Sequence, residues 1–73
     1  MENFKIEWVI FIKKSFLSHN KTIKAININD NQNFVIPSYN DIIEINNDRE
    51  FIKYKVIGRF IEYSKNRICI YIK

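Results

Sequence analysis

The last third of this 73-residue chain carries the pattern that most restricts its fold. Residues 51–63 and 67–73 are rich in Ile, Val, Tyr and Phe, and a short polar break separates them. β-Branched and aromatic residues favour strands, so two such runs around a tight turn predict a β-hairpin. A turn centred on Lys65 and Asn66 would place Phe60 opposite Tyr71.

Side-chain alternation along this hairpin predicts which residues form a core. The core face carries the apolar residues Ile61, Tyr63, Ile68, Ile70 and Ile72. Strict alternation would add Arg59 to that face and turn Val56 away from it. A β-bulge at Gly58–Arg59, at the only glycine of the chain, turns Val56 inward and keeps Arg59 out of the core. Such a bend is typical of strands that curl into a small barrel.

The rest of the chain predicts further strands. Alternation over residues 4–13 puts Trp8, Ile10 and Ile12 on one face and Val9 and Phe11 on the other. The remaining predicted strands are residues 22–28, a short strand at 34–36 that forms a hairpin with 22–28, and residues 42–45. Residues 14–21 fit a loop or a single helical turn. Asp41 can alternatively cap a short helix over 42–45, which the β-branched residues there disfavour.

These elements predict a single all-β domain over residues 1–73. It is expected to be a five- to six-stranded barrel or a strongly curled antiparallel sheet, SH3-like or OB-like, with a C-terminal hairpin bulged near Gly58. The last strand, 68–72, would be an aggregation hazard at an open edge. We therefore expect it to be paired on both sides, either with residues 4–13 or with a second subunit.

The composition argues against several function classes. Cys69 and His19 are the only cysteine and histidine, so neither an intramolecular disulfide nor a Cys/His zinc site is expected. One glycine is too few for a phosphate-binding loop. We predict no catalytic, cofactor or metal-ligating residues. No apolar run approaches the ~20 residues that span a bilayer, so a soluble cytoplasmic protein without membrane association is expected.

The outer face of the final hairpin is the candidate binding surface. Its aromatic and basic residues are Lys53, Lys55, Phe60, Arg67, Tyr71 and Lys73, and Tyr39 on the turn after Pro37 is a further contact candidate. Aromatic and basic anchors suit an acidic protein partner, and they also suit single-stranded nucleic acid. In a third interpretation, these aromatic residues are packed inside the protein: the 14–21 loop covers them through Phe16 and Leu17, and Tyr39 closes one end of the barrel.

The net charge of +4 does not distinguish between these three interpretations of the surface. Ile, Asn and Lys are abundant, and A+T-rich codons encode all three, so codon bias can account for basic charge as well as phosphate binding can.

The spacing Pro-x-x-Asn-Asp-Ile-Ile from Pro37, followed by Tyr-x-Val-x-x-Arg and Ile-x-Ile-x-Ile, resembles small freestanding SH3-like or OB-like β-barrel proteins of bacteria and their phages. The resemblance covers Ile36–Lys73, and those proteins commonly carry Gly where this chain has Asn40. It implies a small barrel and transfers no site residues. It also implies that such a chain can be encoded by a phage or mobile element and can inhibit a host or defence protein.

The sequence therefore predicts a non-enzymatic, protein-binding β-barrel. The alternatives are a module for single-stranded nucleic acid and a homo-oligomer assembled through the C-terminal strand.

Overall fold

The computed structural model describes residues 5–14, 19–30 and 34–73. Its strands are β1 (Trp8–Lys13), β2 (Lys21–Asn27), β3 (Ile42–Asn47), β4 (Glu50–Glu62) and β5 (Arg67–Ile72). Two 3-10 turns, Ile28–Asp30 and Tyr63–Lys65, are the only helical segments in those three ranges. The predicted all-β class is confirmed. Within the described residues, no helix has the length and apolar character needed to cross a membrane.

The five strands form one sheet in the order β2-β1-β5-β4-β3. β1 runs parallel to β5 and every other pair is antiparallel, so the sheet is mixed and not purely antiparallel as expected. It curls strongly into a half-barrel. β5 is its central strand, and pairing with β1 on one side and β4 on the other confirms that the last strand is covered on both edges. It has no free edge left for a second subunit.

The bend in the sheet lies in β4, the longest strand. Residues 50–55 pair with β3, whereas residues 56–62 pair with β5. The register shifts between Val56 and Gly58, which confirms the predicted bulge near Gly58 and makes Ile57 the extra residue. Gly58 does not have positive φ, and an added Cβ would lie 4.0 Å from the Tyr71 ring, an ordinary contact. The bulge therefore does not require glycine.

The final turn is longer than predicted, and this changes the hairpin register. Tyr63–Lys65 form a 3-10 turn that Asn66 closes in the left-handed region at φ 51°. Phe60 consequently pairs with Cys69 and Gly58 with Tyr71, instead of Phe60 with Tyr71. The shift is two residues, so Phe60 and Tyr71 keep their predicted face.

The predicted core of the hairpin is right for β5 and wrong at the end of β4. Ile68, Ile70 and Ile72 are buried, and so is Val56. Tyr63 is 66% exposed because it belongs to the turn, and Ile61 is 38% exposed. Arg59 pairs with Ile70, so the bulge does not move it off the core side as predicted; it is nevertheless exposed. In the described part of the chain, β3 pairs with β4 only as far as Lys55, which leaves Arg59 and Ile61 on an uncovered edge.

The core lies on the concave face of the sheet. Its buried residues are Val9, Phe11, Ile45, Tyr54, Val56, Ile68, Ile70 and Ile72. β1 thus buries Val9 and Phe11 and turns Trp8, Ile10 and Ile12 to the convex side. Residues 34–36 are not a strand, contrary to expectation. Phe34 instead packs edge-to-face on Phe11, at 6.4 Å between ring centroids, so this segment covers the core and does not extend the sheet.

β3 confirms the predicted strand at 42–45, and the helical alternative is wrong. The Asp41 carboxylate accepts a hydrogen bond from the Ser38 N–H at 2.8 Å, so it stabilises a turn and caps no helix. Asn40 has φ 74° in that turn, a conformation that Asn tolerates better than other non-glycine residues. β3 runs two residues further than predicted, and a turn at Asp48–Arg49 connects it to β4.

Candidate docking surface on the convex face

Three adjacent strands, β1, β5 and β4, present a grid of aligned side chains on the convex face. The register places them in three rows, Trp8–Arg67–Glu62, Ile10–Cys69–Phe60 and Ile12–Tyr71–Gly58. We call these nine residues the convex grid. Each of them alternates with a core-side neighbour, so the grid and the core share the same strands.

The middle row of the convex grid has no charged side chain. Cys69 is buried at its centre, Ile10 is half-buried and Phe60 is 54% exposed. At one corner of the grid, Trp8 is 39% exposed. The outward face of an antiparallel or mixed sheet is commonly polar, and a contiguous apolar patch there is typical of an interaction site.

The Glu62 carboxylate organises one end of the grid. Arg67 donates from Nε to Glu62 Oε1 at 2.7 Å, and Lys65 Nζ lies 3.7 Å from Oε2. The hydrogen bond from Arg67 lowers the pKa of Glu62. Cys69 Sγ also donates to Oε1, at 3.4 Å. Burial and this hydrogen bond raise the pKa of the Cys69 thiol, which keeps it protonated and disfavours a nucleophilic role.

The opposite end of the grid is basic. Lys55 and Lys73 lie directly opposite each other, since each donates its backbone N–H to the other's carbonyl at 3.0 Å. Lys53 is two residues earlier on the same face of β4, and Lys14 Nζ lies 5.2 Å from the centroid of the Tyr71 ring. Like charges directly opposite each other destabilise a sheet. Lys55 and Lys73 therefore form a pair of like charges at this end of the convex grid.

The structure brings together the predicted contact residues except Tyr39. Phe60, Tyr71, Arg67 and the lysines 53, 55 and 73 share the convex side of β4 and β5. Phe60 and Tyr71 are diagonal neighbours, and Arg67 is engaged by Glu62. Tyr39 lies outside the grid, in the turn at Ser38–Asp41, and is 67% exposed.

The contribution of β1 to this surface was not predicted from the sequence. Trp8, Ile10 and Ile12 complete the grid, and their alternation was visible, but only the parallel pairing with β5 places them beside Cys69 and Tyr71. The proposal that Phe16 and Leu17 cover the aromatics concerns residues outside the described ranges.

The described residues contain no group of three or more His, Cys, Asp and Glu side chains that could hold a metal ion. No protein-family model, curated protein or solved structure matches the chain.

Proposed function

We propose that this chain is a non-enzymatic protein-binding module whose convex grid docks a partner protein. The observation that carries the proposal is the uncharged middle row, Ile10–Cys69–Phe60, on the solvent side of a sheet whose core lies on the other face. The exposed part of the Phe60 side chain does not contact the core, so a partner protein can bury it.

The arrangement resembles the anatomy of a protein–protein interface. Such interfaces combine an apolar, often aromatic, centre with a polar rim. Here Phe60, Ile10 and Trp8 supply the apolar part, and the basic end with Lys55 and Lys73 supplies a charged rim. An acidic patch on the partner would relieve the repulsion between those two lysines, which ties the charge of the partner to the geometry of the sheet.

Single-stranded nucleic acid is the second candidate ligand, and the basic end beside Tyr71 is the observation that favours it. Bases would need free aromatic faces for stacking. The ammonium of Lys14 lies over the Tyr71 ring, where a base would stack. Arg67 forms an ion pair with Glu62, so its charge is already partnered. The middle row also offers Ile10 where a stacking platform would place an aromatic ring. These features favour a protein over nucleic acid.

The resemblance over residues 36–73 suggests a specific form of this function. A small intracellular barrel of that kind would act by occupying a surface of a host or defence protein. The inhibitor role is part of the proposal and depends on identifying the partner.

A matched pair of substitutions tests the docking surface. Phe60→Ser changes the middle row, whereas Phe51→Ser changes another exposed phenylalanine of β4 that lies outside the grid and is 67% exposed. The tagged chain is used to capture partners from an extract of the cells that produce it, with and without nuclease. We expect one stoichiometric protein, retained by Phe51→Ser after nuclease treatment and reduced at least tenfold by Phe60→Ser.

Two outcomes would contradict the proposal. Loss of every partner on nuclease treatment would favour nucleic acid instead. Equal capture by both variants would show that the convex grid is not the docking surface.

A further inference from the structure

A cavity of about 190 Å³ lies at the open side of the half-barrel, between the two edge strands of the sheet, β2 and β3. β2 contributes Lys24 and Ile26 to its lining, and β3 contributes Ile43, Glu44, Ile45 and Asn46. Phe11 and Phe34 also line it. The site is separate from the convex grid, because Ile43 and Ile45 are on the core side of β3.

The two strands that border the cavity differ in how well their free edges resist pairing. β2 carries Lys21 and Lys24, and a register shift opposite Phe11 and Ile12 inserts Ile23 as an extra residue. Lysines, inward-pointing charges and bulges are devices that block strand addition. β3 (Ile42–Asn47) pairs with β4 without any register shift and contains no Lys, Arg, Pro or Gly. Among the residues that the structure describes, none pairs with the outer edge of β3, so of the two edges β3 is the one open to another strand.

The hydrogen bonds of β4 show which backbone groups of β3 point outward. Val56 donates its N–H to the Asp41 carbonyl at 2.9 Å, so Asp41 points toward β4. In an antiparallel pair this orientation alternates, so the N–H and C=O groups of every second residue face away from the partner strand. On β3 those residues are Ile42, Glu44 and Asn46.

We propose that the free edge of β3 accepts an extended segment of a partner protein as a sixth strand. In an antiparallel addition, the segment hydrogen-bonds to the outward backbone groups of β3. The residue of the segment opposite Glu44 lies on the convex side. Lys53 is the neighbour of Glu44 on β4, and on the free side Glu44 favours Lys or Arg over an acidic residue. The two flanking residues turn inward, toward the cavity beside Ile43 and Ile45.

The size of the cavity indicates what those flanking residues are. An apolar cavity of about 150 Å³ can hold a benzene ring, and pockets for small-molecule ligands are usually larger, at about 300–1,000 Å³. At about 190 Å³ the cavity fits one large apolar side chain better than a cofactor. The segment therefore has the pattern apolar–basic–apolar, with Leu or Phe in at least one apolar position.

A second copy of this chain is a poor occupant. A symmetric β3–β3 pairing that uses all three outward residues places Glu44 opposite Glu44 of the other copy. Like charges directly opposite each other are destabilising. The charge of Glu44 thus favours a different protein with a basic residue at that position.

Selection from a random seven-residue peptide library, displayed against the intact chain, tests the proposal. We expect the enriched peptides to share the apolar–basic–apolar pattern. On titration of a selected peptide, the amide NMR signals of Ile42, Glu44 and Asn46 should shift. Changing its Lys or Arg to Glu should weaken binding at least threefold, a readout that leaves the protein unaltered.

Variants of the protein separate this edge from the convex grid. Glu44→Pro removes an outward N–H that makes no bond to β4, and proline is tolerated at such edge positions. We expect it to weaken peptide binding at least tenfold while the NMR spectrum stays dispersed. Glu44→Gln keeps the N–H and should lose only the preference for a basic residue. Phe60→Ser should bind the peptide as tightly as the wild type, so failure of the convex grid and failure of this edge are distinguishable.

Three results would overturn the proposal. The selection enriches no common peptide sequence, or the selected peptides bind Glu44→Pro as tightly as the wild type. The third is that only the β2 amide signals of Ala25 and Asn27 shift on peptide titration.

Discussion

Two phenylalanines on opposite faces of the sheet should differ sharply in their contribution to folding. Phe11 is 3% exposed in the core, and Phe60 is 54% exposed on the convex grid. Truncation of a fully buried phenylalanine to alanine costs about 3–5 kcal/mol, part of which is the cavity left behind. Phe60 buries roughly half of its side chain and leaves no closed cavity, so Phe60→Ala should cost about 1–2 kcal/mol.

The total stability of the chain makes this difference measurable. At about 0.05–0.15 kcal/mol per residue, 73 residues correspond to about 4–11 kcal/mol. Phe11→Ala should therefore remove a large part of the free energy of unfolding, and Phe60→Ala should leave a folded protein. Phe11→Leu retains much of the buried apolar surface and should cost less than Phe11→Ala, so it provides a core variant that stays folded.

Equilibrium urea unfolding, followed by circular dichroism, measures both costs at unchanged m-value. We expect the cost of Phe11→Ala to exceed that of Phe60→Ala by about 1–4 kcal/mol, from the burial costs above. Equal costs would refute the reasoning, because they would mean that another part of the chain covers Phe60 and that the convex grid is a packing face.

Three further predictions follow from the polar groups of the convex face. The Cys69 thiol is 4% exposed, and burial raises its pKa. A thiol reagent should therefore modify the native chain at least 100-fold more slowly than the urea-unfolded chain. Rapid stoichiometric labelling of the native chain would contradict this. The pKa of Glu62 is lowered in the folded state by Arg67, so its stabilisation is present above the ordinary glutamate pKa of 4.5 and is lost as the pH falls through the lower folded value. Glu62→Gln should reduce the loss of thermal stability below pH 4.5, and an unchanged pH profile would count against the Arg67 hydrogen bond. Lys55→Gln should raise the free energy of unfolding by about 0.2–1 kcal/mol at low salt, because it removes repulsion from Lys73. The gain should shrink in 1 M salt, which screens the charges. A loss of stability at low salt would mean that the two charges do not repel.

The features of the fold that could be predicted are those that local alternation determines. Strands appear where β-branched residues cluster, and the parity of Ile68, Ile70 and Ile72 identified the core face of β5. The bulge near Gly58 followed from a conflict between Val56 and the alternation beyond it. A two-residue error in register leaves parity intact, so the faces of Phe60 and Tyr71 were right although their pairing was wrong.

The features that could not be predicted depend on turn geometry and on contacts between distant segments. Asn66 can adopt the left-handed conformation that closes a four-residue turn, and nothing local excluded the shorter one. β1 is apolar on both faces, so alternation alone does not choose between Val9 and Ile10 as core residues. That choice follows from the parallel pairing with β5, which joins segments more than 50 residues apart and completes the convex grid.

The chain's single tryptophan gives the most direct test of the docking surface. Trp8 lies at a corner of the convex grid and is 39% exposed, so replacing it with 5-fluorotryptophan places one fluorine signal at the surface in question. The measurement is the ¹⁹F NMR shift, and its change between H₂O and D₂O, for the chain alone and in the complex with the protein that it captures. We expect the signal to move and to lose its solvent isotope shift in the complex, and to stay unchanged with a single-stranded oligonucleotide. A stoichiometric complex in which the Trp8 signal and its solvent isotope shift are unaltered would contradict the account.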